Sequence, residues 1–95
     1  GEAGPEERAE IAALLRREAA SPLWRPVPPA EARALDLLLF REGRWPTHLG
    51  IVVRPGLMLH VARGDGAKVE PYDAGRWAPR LAGLWRPAPP PRGLA

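Results

Sequence analysis

The sequence predicts an α+β domain: an N-terminal helix, an antiparallel meander of short strands, and a short C-terminal helix. Three observations carry that prediction. A helical pattern occupies residues 5–19, four short apolar or alternating runs follow between residues 37 and 72 with turn residues between them, and proline-rich stretches flank the set. With 95 residues there is room for one small domain whose core buries a modest share of its surface.

The helix at 5–19 opens on Pro5, which suits a first helical position, with Glu6 and Glu7 near the positive end and Arg16 and Arg17 near the negative end. Ile11, Leu14 and Leu15 supply its apolar stripe. Residues 21–29 hold four prolines around Trp24 and Val27 and read as an extended connector, because proline fixes its own backbone and turns its predecessor away from helix. Residues 29–33 allow a short turn of helix. The continuous apolar run at 37–40 suits a strand buried on both faces. Gly43 and Pro46 mark a turn, and residues 48–53 alternate as a second strand. Arg54, Pro55 and Gly56 end it, residues 57–62 form a third strand, and Gly64-Asp65-Gly66 turns into a fourth at 67–72, where Pro71 argues for an end or an edge. Asp73 can cap a short helix carrying Trp77 and Leu81, with Pro79 in its first turn, before a closing strand at 84–86. The chain divides into a helix and connector at 1–28, a sheet-bearing half-domain at 29–87 and a proline-rich tail at 88–95.

Composition excludes several classes of function. No apolar run approaches the roughly 18 residues of a membrane span, and no signal peptide is visible. The net charge is +3 and Lys68 is the only lysine; the arginines are spread along the chain, whereas a nucleic-acid footprint gathers them on one face. No nucleic-acid partner and no cofactor are expected. The absence of cysteine rules out disulfides, thiolate metal sites and a thiol nucleophile within these residues. The chain begins with Gly1 rather than Met, which fits a segment cut from something longer.

The two histidines, His48 and His60, fall on adjacent strands of one predicted hairpin. With a three-residue loop at 54–56, His60 faces Gly50 and His48 faces Ala62, so the rings are diagonal neighbours on one face, at roughly 7–8 Å between backbones. A two-residue loop at Pro55-Gly56 puts them on opposite faces, since a one-residue change of register flips every side chain. Gly50 opposite His60 leaves space on that face for something to enter. Two imidazoles in contact can act as base and orienting partner. Metal binding is the rival chemistry, but two ligands make a poor site and Asp36, Asp65 and Glu70 fall at no recognised ligand spacing. The plain alternative is a pair of strand histidines bonded to backbone.

Residue order adds a family resemblance. Asp36-Leu37-Leu38-Leu39-Phe40, then Thr47-His48-Leu49-Gly50-Ile51-Val52-Val53, Met58-Leu59-His60, and Trp77 through Leu81-Ala82-Gly83-Leu84-Trp85-Arg86, resemble the NlpC-like cell-wall cysteine peptidases, in which a second histidine follows the first by about twelve residues, as here. Several members belong to phage tails or gene-transfer agents. The resemblance covers roughly residues 34–87 and implies the C-terminal portion of a papain-like domain, incomplete at its N-terminus. It implies that His48 is the general base, His60 the third, orienting residue, and Asp36 structural. Ala34-Leu35 stands where the family has Pro-Gly. The family's nucleophile is a cysteine at a helix N-terminus upstream of the sheet, where dipole and histidine favour the thiolate. Ser21 is the only hydroxyl before Thr47, and the family offers no precedent for it as nucleophile.

The nucleophile therefore lies outside these residues or has been lost. The helix at 5–19 with Trp24 resembles the insert that phage-type members carry before the sheet, which favours the first explanation, and the 95 residues alone are expected to be inactive. The implied activity is hydrolysis of an amide in peptidoglycan stem peptides, opening the wall locally from a tail or particle made in the bacterial cytoplasm, with tail-hub or baseplate proteins as partners. A different class of function is a non-catalytic peptidase-like module of a tail tip, or one that binds wall fragments through Trp24, Trp45 or Trp85. An arginine-rich nucleic-acid binder is the weaker third, and its affinity would fall steeply with salt.

Overall fold

The computed structural model describes residues 4–62 and 64–89. Among these residues one helix, α1 (Pro5–Ala19), precedes six strands: β1 (Trp24–Val27), β2 (Leu37–Glu42), β3 (Trp45–Arg54), β4 (Leu57–Ala62), β5 (Gly66–Pro71) and β6 (Leu81–Pro87). Together they make one antiparallel sheet in the order β1-β6-β2-β3-β4-β5. Consecutive hairpins build the meander from β2 to β5. The chain then returns so that β6 pairs with the free edge of β2.

Helix α1 starts where Glu7 accepts a hydrogen bond from the Gly4 N–H at 3.3 Å, the half of a capping box that needs no side chain at the cap. Its last turn closes with the Ala20 N–H donating to Arg16. Ala12 is fully buried and Leu15 partly so, while Leu14 is 61% exposed. The packed stripe is therefore Ala12, Leu15 and Ala19, not Ile11, Leu14 and Leu15: the helix lies close to the sheet, and a small residue sits at the point of nearest approach. Trp24 ties α1 to the sheet by donating from Nε1 to Glu18 at 2.8 Å.

Two expectations need correction. Residues 24–27 are a strand and not a connector, with Pro26 opposite Trp85. Proline is tolerated there because β1 is an edge, where a missing N–H leaves no neighbour unpaired. The short C-terminal helix after Asp73 is absent: only a 3₁₀ turn forms at Ala78–Arg80, and Leu81 already belongs to β6. A single turn fixes several backbone angles for one hydrogen bond, whereas extension alongside β2 supplies a ladder. The run at 37–40 is a central strand, and Leu38, Leu39 and Phe40 are buried although they alternate between faces.

The main core lies on one face, where Leu38, Phe40, Val52, Met58 and Leu84 are closed over by Ala32, Tyr72 and Trp77. On the other face α1 packs against β3, and beyond it Leu49, Ile51, Leu59, Val61 and Val69 are 39–70% exposed. No helix among the described residues is long and apolar enough to cross a membrane.

The entry to β2 is fastened to β6 by a buried ion pair. Arg86 donates to both carboxylate oxygens of Asp36, at 2.7 and 2.8 Å, and the Arg33 N–H adds a third bond at 2.8 Å. Asp36 is thus structural. Just before it, Leu35 holds a positive φ of 75° while its N–H donates to the Val52 carbonyl at 2.7 Å. Leucine is strained in that conformation by about 1–2 kcal/mol, and glycine is not.

Because the Leu35 side chain is 77% exposed, little packing is lost on removing it. Relief of about 1–2 kcal/mol is set against about 0.5–1 kcal/mol for the greater freedom of an unfolded glycine. Leu35→Gly is therefore expected to raise stability by up to about 1 kcal/mol, read as a higher urea midpoint with an unchanged slope.

Candidate active site

The β3–β4 hairpin decides where the histidines point. Its turn is the two residues Pro55-Gly56, and Gly56 takes the positive φ of 90° that the turn demands. Such a loop alone would place the rings on opposite faces. The register, however, runs Gly50 to His60, Ile51 to Leu59 and Val52 to Met58, and then jumps to Arg54 opposite Leu57. Val53 is the extra residue of a β-bulge, and it restores the pairing that a three-residue loop would give.

His48 and His60 consequently share a face, with His48 Nε2 2.9 Å from His60 Nδ1. On the far side of His60, Nε2 lies 2.6 Å from Glu70 Oε2. Glu70 reaches it from β5, where Lys68 is the residue directly opposite His60 and Glu70 follows two positions on, facing the same way. Trp77 stacks on His48 with ring centres 4.8 Å apart and planes 18° from parallel, and it meets His60 and Phe40 edge-on at 5.0 Å each. Neither imidazole can swing without displacing the indole. His60 is 4% exposed and Trp77 6%.

His48 opens onto a cleft of about 530 Å³ lined also by Arg8, Glu42, Asp65, Arg76 and Trp77. Burial is the largest influence holding the His48 pKa below its ordinary value; His60 and then the positive charge of Arg76 act in the same direction, and the carboxylates of Glu42 and Glu70 oppose it. Glu70 is held below the usual carboxylate range, first by its hydrogen bond with His60. The Trp77 indole N–H lies near enough to Glu70 to help keep it ionised, yet completes no hydrogen bond by distance and angle and is buried without a partner among the described residues.

Of the carboxylates weighed as metal ligands, Asp36 is committed to Arg86 and Asp65 lies beside Lys68 at 3.6 Å, so only Glu70 approaches a histidine. Among the described residues no group of three or more potential ligands gathers around a common point. Ser21 sits in the turn after α1, where its hydroxyl accepts from the Leu23 N–H at 3.2 Å. Gly50 is not a vacancy for substrate: a Cβ there would stand 3.1 Å from Met58 Sδ and 3.5 Å from Phe40, so its smallness serves the core. The sequence reading passed over Glu70 as a partner of His60 and Trp77 as a wall of the site. Counting out from the Gly64-Asp65-Gly66 turn sets Glu70 opposite His60 and so on its face, although the observed register places Lys68 there and Glu70 two residues on.

A sequence model of the NlpC/P60 family matches residues 11–86, about four-fifths of the chain. No curated protein matches it.

Three groups couple this architecture to pH with one sign. Glu70, Asp36 and His48 all have folded-state pKa values below their ordinary 4.5, 3.8 and 6.5, through the His60 hydrogen bond, the Arg86 hydrogen bond and burial respectively. Each binds its proton more readily in the unfolded chain, so its contribution is fully present above the unfolded value and is lost as pH falls. Urea midpoints are expected to decline on acidification, first below about pH 6.5 and more steeply below about pH 4.5. A rise in stability across that range would contradict the assignment.

Proposed function

The chain belongs to the NlpC/P60 family, and from that premise we propose that it forms the base-bearing part of a cysteine peptidase that hydrolyses amides in peptidoglycan stem peptides. The observation that carries the reading is the contact between His48 Nε2 and His60 Nδ1 at 2.9 Å, beside an open cleft. With Nε2 engaged, Nδ1 of His48 remains to take a proton from a thiol. The thiolate attacks the amide carbon, His48 returns the proton to the leaving amine, and water then releases the acyl group with His48 again as base. A depressed pKa keeps His48 unprotonated near neutral pH and able to begin that cycle.

The 95 residues contain no cysteine, so the thiol is supplied from outside them. The finer reading is a hydrolase carried by a phage tail or gene-transfer-agent-like particle, acting at the bacterial wall beside tail-hub or baseplate proteins and cutting next to D-glutamate and diaminopimelate. Its support is the likeness of α1 and Trp24 to the insert of phage-type family members. Lack of cysteine also admits a second reading, a peptidase-like module that binds wall fragments or builds a tail tip without cutting.

Two measurements separate these readings. A complete reading frame holding a Cys, then an aromatic or Ser, then Gly, at the head of a helix favours the enzyme; its absence favours the structural module. In a protein carrying that cysteine, His48→Ala is expected to lower muropeptide cleavage by about 10²–10⁴-fold, and unchanged cleavage would remove His48 from the role of base.

A further inference from the structure

We propose that Glu70 is a positioning residue whose carboxylate fixes the tautomer of His60 and, through it, that of His48, so that His48 keeps an unprotonated Nδ1. Its importance for turnover rests on His48 being the base, but its effect on the rings does not.

Taken alone, the contact between the histidines is ambiguous. Either ring can donate across the 2.9 Å between His48 Nε2 and His60 Nδ1, and the two directions have opposite consequences. If His60 donates, neutral His48 must carry its own proton on Nδ1 and has no lone pair for a thiol. If His48 donates, Nδ1 is free. The pair needs a third group to choose between them.

Glu70 makes that choice. An ionised carboxylate only accepts, so at 2.6 Å it requires the proton of His60 to be on Nε2. When His60 is neutral it carries one N–H, which leaves its Nδ1 as an acceptor and obliges His48 to donate from Nε2. Little competes for the position: the His60 side chain is sealed from solvent, and Lys68, directly opposite, lies beside Asp65 at 3.6 Å. No described residue hydrogen-bonds His48 Nδ1.

Because the chain has two histidines, both rings can be assigned in the ¹⁵N-labelled 95-residue protein by long-range proton–nitrogen correlation at neutral pH. The expected wild-type spectrum shows protonated Nε2 and unprotonated Nδ1 in both rings. Glu70→Ala should abolish that pattern, drawing the two nitrogen resonances of each ring towards a common averaged position while the backbone amide fingerprint stays folded. Glu70→Met, which keeps the reach of the side chain without an acceptor, should do the same and serves if the alanine variant does not fold. A wild-type His48 protonated on Nδ1, or unchanged tautomers in a folded Glu70 variant, would overturn the proposal. Failure of the peptidase reading would look different: one clean tautomer in a complete protein that cleaves no muropeptide.

Discussion

Everything at the candidate site depends on one extra residue in β3. A hairpin with a two-residue turn and regular strands would send His48 and His60 to opposite faces of the sheet. The bulge at Val53 shifts the pairing by a single position and brings both rings to the core face. The shift is anchored on either side, since Val52 and Met58 are both fully buried there and Gly50 fits under Met58 and Phe40, where a Cβ would press on Met58 Sδ at 3.1 Å. A slip of register would expose those side chains along with the histidines, so packing and site geometry are enforced by the same contacts.

Burying a line of polar groups is favourable only if each is satisfied, because an unpaired donor or acceptor inside a protein forfeits its solvation. His48, His60 and Glu70 meet that condition by bonding in series, and the series ends on a carboxylate that retains some contact with solvent, which eases the burden of its charge. Trp77 serves a different purpose. Its stacking on His48 and edge contact with His60 restrict ring motion without using a ring nitrogen, leaving hydrogen-bonding capacity for chemistry.

Most of the sheet was legible because its strands announce themselves locally. The apolar run at 37–40, the alternation through 48–53 and the Gly-bearing turns fix β2 to β5 within a few residues. What escaped notice depends on non-local pairing. Nothing near Pro26 signals a strand, because its partner Trp85 is far along the chain. The segment at 81–83 reads as the end of a helix until the free edge of β2 is seen beside it. At the site, the histidines and their twelve-residue separation were visible from the start, but loop length alone could not settle their faces, since a bulge leaves no fixed mark in composition. Glu70 was visible only as a possible ligand; its role follows from the register of a second hairpin.

The two faces of the sheet divide the remaining work. On the histidine face the chain closes its own core with Ala32, Tyr72 and Trp77, so the two imidazoles are held by strands and loops already present. A nucleophile brought to the cleft would not have to assemble that pair; it would need only to place one sulfur atom within reach of His48. Preorganisation of this kind lowers the entropic demand on the encounter, because only one atom remains to be positioned. It also explains how the site can keep its form in residues that contain no thiol: the forces fixing the imidazoles are sheet register, ring stacking and a carboxylate, and none of them passes through the nucleophile.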